Sequence, residues 1–260
     1  MQDGPDFRKE LAYALDPVLF ARERLRFIPD DWQGRVLAST HTRIILLCSR
    51  QAGKTSTVAV KALHTAKYKP GSLILMFSKS QRQSKEVLKK VASHLNKLGT
   101  ERQYLVTDST TELEFPNGSR MVSLPGSNPD NILGYSAPDL IIEDEASRVD
   151  DELHDAYRPM LATSKNGGQL ILMSTPLGRR GHFHQIWTQG GPAWHRERVT
   201  AYEVNRITPA FLAEERAEKG RWLFAREYEC AWADNVEGFF SEEDVARAFH
   251  RNPPILELAF

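Results

Sequence analysis

Four short runs along the chain are nearly continuous in Ile, Leu and Met: RIILLCS (43–49), SLILMFS (72–78), DLIIED (139–144) and QLILMS (169–174). Apolar runs of this length, without polar alternation, suit parallel strands buried on both faces. Between the first two, a helical pattern starts at Lys54; between the second and third, QRQSKEVLKKVASHLNKL (81–98) carries apolar residues at helical spacing. TELEFPNGSRMVSL (111–124) alternates about Asn117–Gly118 and reads as a hairpin. Near the amino end, FRKELAYALDPVLFARERL predicts one or two helices broken at Pro17. Strand alternating with helix predicts an α/β fold, a mostly parallel sheet flanked by helices.

Past Pro192 the texture changes. TPAFLAEERAEKGRWLFAREYECAW (208–232) is charged and helical, with Thr208 as N-cap before Pro209. The expected organisation is a core over residues 1–200, a small helical lid over 201–250, and the start of a linker over 251–260. Lys plus Arg and Asp plus Glu both number 34, so no global basic bias marks a nucleic-acid binder, and any such contact must be a local patch. Cys48 and Cys230 cannot make a disulfide scaffold, which points to a reducing compartment. There is no apolar run long enough for a bilayer and no signal-peptide pattern, so the expected location is cytosolic, away from membranes.

The run RIILLCSRQAGKT is strand, loop, then helix, the context that a phosphate-binding loop needs. Backbone N–H groups across Arg50, Gln51, Ala52, Gly53, Lys54 and Thr55 would cradle the β- and γ-phosphates at a helix N-terminus. The Lys54 ammonium would sit on the phosphates and the Thr55 hydroxyl would ligate Mg²⁺. Cys48 stands where G-x-x-x-x-G-K-[ST] asks for glycine, but that position only ends the strand; Gly53, beside the phosphates, is present.

DLIIEDEAS is a strand ending in Glu143, Asp144 and Glu145. Alternation points 143 and 145 to one side and 144 to the other. A phosphate-loop NTPase needs one carboxylate on Mg²⁺ and another to orient or activate water; Asp144 is assigned to the metal and Glu145 to the water. Glu143 is left to support the others or to face solvent. LILMSTP (170–176) ends in Ser174 and Thr175, hydroxyls placed at the sheet's carboxyl edge to sense a γ-phosphate. Upstream, PDDWQGRVL (29–37) offers Gln33, whose amide can accept from adenine N6 and donate to N7. The fold expectation sharpens to a P-loop NTPase of the RecA/ASCE-like kind with a C-terminal helical lid, using ATP and Mg²⁺.

At this point the chain resembles the large terminase subunit, the ATP-driven DNA-packaging motor of tailed bacteriophages. PDDWQ, SRQAGKT, GYSAPDLIIEDEAS, RPMLATSKNGGQLILMSTPLGRRGHFHQIW and RITPAFLAEERAEKGRWLFAREYECAW occur in family order and spacing, over nearly the whole chain. The resemblance implies that Gln33 contacts adenine and that Gln51 to Thr55 hold phosphate and Mg²⁺. It makes Arg50 the loop arginine of these motors, a catalytic group beside Glu145. Asp144 and Glu145 hold metal and water, and Ser174 and Thr175 couple hydrolysis to movement. The implied partners are double-stranded DNA, a portal protein, a small terminase subunit and further copies of the chain in a ring, with a monomer when isolated. The implied location is the cytoplasm of the infected bacterium, transiently at the capsid portal. Where family members often have Arg-Gly, this chain has Leu133–Gly134, and Arg148, Arg158, Arg179 and Arg180 stand as unranked substitutes for a neighbour-reaching arginine. The family continues into a nuclease domain that would begin where this sequence ends, so cutting activity is expected to be absent from this polypeptide.

A superfamily 2 helicase shares a phosphate loop and a D-E-A box but needs a second RecA-like domain. A nucleotide-gated module without turnover has no use for Glu145. A small-molecule kinase lacks an acceptor-pocket signature here. His182 and His184 in GHFH are read as surface or packing residues, since they lack companions at metal-ligand spacing. Of the tryptophans, the four beyond residue 186 are expected to staple the lid.

Overall fold

All four apolar runs become central strands of one sheet. The computed structural model describes residues 7–125, 132, 134–164 and 168–232. Helices α1 (Phe7–Leu15) and α2 (Pro17–Glu23) meet at Asp16, whose carboxylate accepts from the Val18 and Leu19 N–H groups. Pro17 stands at the first helical position, where no N–H is needed. Helix α3 (Asp31–Ala38) precedes β1 (Arg43–Cys48), and α4 (Lys54–Tyr68) follows it directly after the glycine loop. Then come β2 (Leu73–Ser78) and α5 (Gln81–Leu95), which ends three residues before the predicted 98, where a 3₁₀ segment takes over. Strands β3 (Thr107–Asp108), β4 (Glu112–Glu114) and β5 (Arg120–Pro125) form the antiparallel margin, and the expected hairpin turns at Gly118, whose φ is 80°. The rest is β6 (Leu140–Asp144), α6 (Asp151–Tyr157), β7 (Gln169–Ser174), α7 (Gly181–Gln189), β8 (His195–Val199) and α8 (Pro209–Tyr228).

The strand order is β3-β4-β5-β2-β6-β7-β1-β8, parallel from β5 onward. Strand β7 therefore lies between the strand that feeds the glycine loop and the strand that ends in acids. In register, Ser174 pairs with Leu47 and Asp144 with Met173, so the carboxyl ends of β1, β7 and β6 share one edge. The period of two divides the core into two faces. Ile44, Leu46, Ile142 and Met173 pack against α4, whereas Ile45, Leu47, Ile141 and Leu172 pack against Leu153 and Tyr157 of α6 and Phe183 of α7.

Strand β8 has no apolar run. Its sequence, HRERV, buries only Glu197 and Val199 and sits at the sheet margin, where half its surface meets water. Helix α8 is capped as expected, Thr208 accepting from the Phe211 N–H ahead of Pro209, and it bends at Gly220. Trp187, Trp194 and Trp232 pack on the α6–α7 face of the sheet, not on α8, and Trp222 is exposed, contrary to the expected stapling of the lid. Cys48 and Cys230 are buried free thiols. Among the described residues no helix is long and apolar enough to cross a membrane. Leu133 and everything past Trp232, including the expected linker, lie outside the described residues.

Candidate active site

The glycine loop joins β1 to α4 with its backbone turned against the usual handedness twice, at Gln51 (φ 59°) and Gly53 (φ 98°). Only glycine fits the second position: a Cβ there would stand 2.8 Å from Gln33 Nε2 and 3.1 Å from Arg206 Nη2. The loop is anchored at its start, where the Ser49 N–H donates to Val199 O and the Arg50 N–H to Glu227 O, both at 2.8 Å. The exposed Arg50 guanidinium leans towards the Glu227 carboxylate, 3.6 Å away. Arg206 closes the other side, donating to Ala52 O at 2.8 Å and to both Asp30 carboxylate oxygens. Neither Arg206 nor Glu227 could be found from sequence, because each lies more than 150 residues from its loop partner and only folding brings them together.

Gln33 is buried beside Gly53. Its Oε1 accepts the Asp30 N–H at 2.8 Å, so its first structural duty is to cap α3. The carbonyl keeps a second lone pair, and Nε2 faces the glycine.

Lys54 opens α4, with Thr55 half-buried next to it in the first turn. The Lys54 Nζ donates to Glu145 Oε1 at 2.8 Å. Burial pulls the Lys54 ammonium down, but Glu145 and Asp144 outweigh it and hold it above its ordinary value. Glu145 reaches Lys54 because its backbone is left-handed (φ 54°, ψ 41°). The alternation that puts 143 and 145 on one side therefore fails at Glu145, which turns back to the glycine-loop side while Glu143 stays on the α6–α7 face. Arg148 stands 3.6 Å from the other Glu145 oxygen. Asp144 is buried and accepts the Glu145 N–H at 2.9 Å. Burial pushes its carboxyl up to about 6, with Lys54 opposing the rise and Glu145 adding to it.

Ser174 and Thr175 are buried at the end of β7. Ser147, in the turn just past Glu145, bonds Ser174 Oγ at 2.7 Å and donates to Thr175 O at 2.9 Å. The hydroxyl pair thus joins the acidic strand end through Ser147, a residue that no motif singles out. Glu143 is fully buried among His154, Tyr157 and His182, so it is neither exposed nor part of the acid pair. His182 is not a surface or passive packing residue either, since both its ring nitrogens meet carboxylates, Glu143 and Asp151. His184 lies edge-on to Trp232.

The residues fit a nucleoside triphosphate with Mg²⁺. The loop carries a cradle that a Cβ would fill, a buried Ser49 hydroxyl without a partner among the described residues, and a lysine and a threonine opening α4, with the desolvated Asp144 carboxylate at the end of β6. Hard oxygen donors in that number suit Mg²⁺, which keeps several waters and binds through one or two protein oxygens.

Comparison with known proteins gives a family match. The family model described as "Terminase large subunit, T4likevirus-type, N-terminal" matches residues 45–247. Among solved structures, the large terminase ATPase domain of Thermus phage P74-26 superposes with a TM-score of 0.71 at 19% identity, covering 82% of this chain and 97% of that one. The bacteriophage HK97 large terminase gives 0.67 at 16%, over 83% of this chain and 54% of that one. The large terminase of bacteriophage D6E in complex with ADP gives 0.64 at 15%, over 78% and 53%. At such identities the likeness is one of fold, that of the P-loop NTPases; this chain spans about half the length of the HK97 and D6E proteins.

Proposed function

The chain belongs to the T4-like-virus-type large-terminase N-terminal family, and from that premise we propose that it is the ATPase of a viral DNA-packaging motor, hydrolysing ATP with Mg²⁺ to move double-stranded DNA into a preformed capsid. The observation that carries this reading is the meeting of Lys54, Asp144 and Glu145 at the carboxyl edge of β1 and β6, beside a glycine loop opening α4. The ADP and ATP-γ-S complexes of the D6E large terminase support the choice of ligand.

In this reading the loop N–H groups and Lys54 bind the β- and γ-phosphates, and Gln33 faces the base. Thr55 and Asp144 hold Mg²⁺, which supplies charge neutralisation on the phosphates when bound. Once Lys54 turns to phosphate, the Glu145 carboxylate is released to orient a water. It accepts that water's proton as the oxygen bonds to the γ-phosphorus and the bond to the ADP oxygen breaks. Arg50, whose guanidinium lies 3.6 Å from the Glu227 carboxylate, is within the loop to meet the developing charge. Ser174 and Thr175, tied through Ser147 to the turn that carries Glu145, pass the change to the sheet.

Residues 1–200 form the ATPase core, 201–250 the helical lid and 251–260 the start of a linker. The working partners are double-stranded DNA, the portal, a small terminase subunit and neighbouring copies in a ring, in the cytoplasm of the infected bacterium. ATP hydrolysis measured with and without DNA and portal tests the proposal. Stimulation by both is expected. An unsubstituted chain that binds no ATP would overturn it.

A further inference from the structure

Behind the acid pair, on the α6–α7 face of the sheet, lies a buried polar cluster with no part in the chemistry described above. Glu143, one residue before Asp144, is at 0% exposure. It follows the apolar run Leu140–Ile142 in β6, on the same face as Ile141, where a leucine would continue the core. A buried charge costs several kcal/mol in desolvation, and apolar residues of similar volume often serve stability as well or better. Stability alone therefore does not account for a carboxylate here.

Its partners come from two helices. His182, in the first turn of α7, places Nε2 2.8 Å from Glu143 Oε1 and Nδ1 2.8 Å from Asp151 Oδ1. With a carboxylate on each side, both ring nitrogens are placed to donate. Its own burial favours the neutral ring, yet the Glu143 and Asp151 contacts raise its pKa. Tyr157, at the end of α6, donates its hydroxyl to Glu143 Oε2 and receives the Nδ1 proton of His154 at 2.8 Å. Burial pushes the Glu143 carboxyl up, but the His154 and His182 contacts outweigh it and hold it at about 2. Asp151 also accepts the His182 backbone N–H at 2.7 Å, capping α7. One carboxylate thus joins β6, α6 and α7.

These groups do not make a metal centre. The His154 and His182 rings are stacked, 4.2 Å between centroids and 17° between planes, so their in-plane lone pairs run side by side and cannot converge on one ion. The 2.8 Å separations are those of hydrogen bonds.

What the cluster does follows from where its ends are. Strand β6 continues from Glu143 into Asp144 and Glu145. Helix α7 begins six residues after Thr175, and the turn containing Ser147 contacts both β7 and α7. We propose that Glu143 and His182 are positioning residues for ATP hydrolysis: their bond fixes the end of β6 against α7, and so sets Asp144 and Glu145 in register with the glycine loop and with Ser174 and Thr175. The proposal rests on the ATPase reading above. A site whose reacting groups must be held to within a fraction of an ångström needs such backing, and a displacement of about 1 Å from a remote change can cost about 10²-fold in rate.

The test uses the same chain with three readouts: kcat for ATP, the Kd for a fluorescent ATP analogue, and the melting temperature. His182→Ala should lower kcat by about 10- to 10²-fold while Kd stays within about twofold. His182→Gln, whose amide N–H takes the place of Nε2, should recover most of the rate, because the donor to Glu143 is restored. Asp151→Ala removes the half-exposed orienting carboxylate; it should also lower kcat with Kd kept, and it carries the test should His182→Ala not fold. Wild-type kcat in folded His182→Ala or in Asp151→Ala overturns the proposal, as does kcat falling in step with ATP affinity or no recovery in His182→Gln. An unsubstituted chain that binds ATP but never hydrolyses it overturns the ATPase reading and this proposal with it. A normally active chain indifferent to these substitutions overturns this one alone.

Discussion

Lys54 donates to Glu145 across 2.8 Å, so the cation proposed to bind the phosphates and the carboxylate proposed to orient the water are bonded to each other. Neither can do its work in that arrangement. A triphosphate offers Lys54 a denser negative charge than one carboxylate, and binding it releases Glu145 at the moment a substrate is present. The ion pair thereby links occupancy of the loop to availability of the base.

Two substitutions separate these duties. Lys54→Ala should abolish ATP binding measured by calorimetry. Glu145→Gln should retain binding, since it removes the partner that competes for Lys54, and lose ~10²–10⁴ in hydrolysis rate, the range of a positioned base. Full turnover by Glu145→Gln would remove Glu145 from the catalytic role.

Gly53→Ala tests the cradle. The left-handed backbone at φ 98° disfavours any side chain by about 1–2 kcal/mol, and the new methyl would meet the Gln33 amide at 2.8 Å. The expected result is a lower melting temperature together with the loss of the stabilisation that Mg-ATP gives the unsubstituted chain. A variant that melts normally and still gains stability from Mg-ATP would contradict this account of the loop.

Gln33 carries two roles, and they separate in measurement. Its Oε1 caps α3 through the Asp30 N–H, so Gln33→Ala should destabilise the fold by about 1 kcal/mol in urea unfolding. Its remaining lone pair and its Nε2 donor match the N6 and N7 groups of adenine, which should favour ATP over GTP by about 1–3 kcal/mol. That preference should vanish in Gln33→Ala. Equal competition by GTP in the unsubstituted chain would leave Gln33 with the cap alone.

The core of this fold was readable because its strands are apolar runs between helical patterns, and the glycine loop and acid pair stand at their ends. What stayed hidden has physical reasons. Strand β8 is a margin strand in which Arg196 and Arg198 interleave with buried residues, so it never reads as an apolar run. The turn at Glu145 breaks strand alternation through one left-handed residue, which composition does not announce. Sequence alone leaves Glu143 either to support the acid pair or to face solvent. Its burial depends on His182 and Tyr157, 39 and 14 residues away. The same holds for Arg206 and Ser147, whose partners are fixed by topology and not by spacing.

A pH prediction follows from the margin of the sheet. Glu197 of β8 accepts from Arg35 Nε and Nη2, each at 2.8 Å, and meets His195 Nε2 at 3.0 Å, which ties α3 to the sheet. Burial pushes its carboxyl up, but the Arg35 and His195 contacts outweigh it and hold it below the ordinary 4.5. A carboxyl whose folded value is depressed contributes stability that is fully present above the unfolded value, near 4.5, and is lost as pH falls through the lower folded one. Glu197→Gln should therefore destabilise the chain at neutral pH and flatten the decline of urea stability below about pH 4.5. An unchanged acid profile would show that the pair contributes nothing measurable.

The last prediction concerns the arginine that completes the site. Such a group, supplied by a neighbour, is worth about 10³–10⁵ in rate, so a chain that relies on one should bind ATP yet turn it over slowly when alone. Leu133 cannot supply the charge. Arg158 acts on Arg43 at the start of β1, about 17 Å of strand away from the loop, so it does not serve the site of its own chain. Arg180, at the N-cap of α7, remains open to a neighbouring copy. Within the chain two arginines already stand at the site, Arg50 in the loop and Arg148 at 3.6 Å from Glu145. Specific activity measured against protein concentration, with and without portal, distinguishes the cases. A rate that rises with concentration, falls in Arg180→Ala and recovers when those chains are mixed with active-site-dead Glu145→Gln chains assigns the group to a neighbour. A rate independent of concentration that collapses in Arg50→Ala or Arg148→Ala, with ATP still bound, shows that the site is complete within one chain.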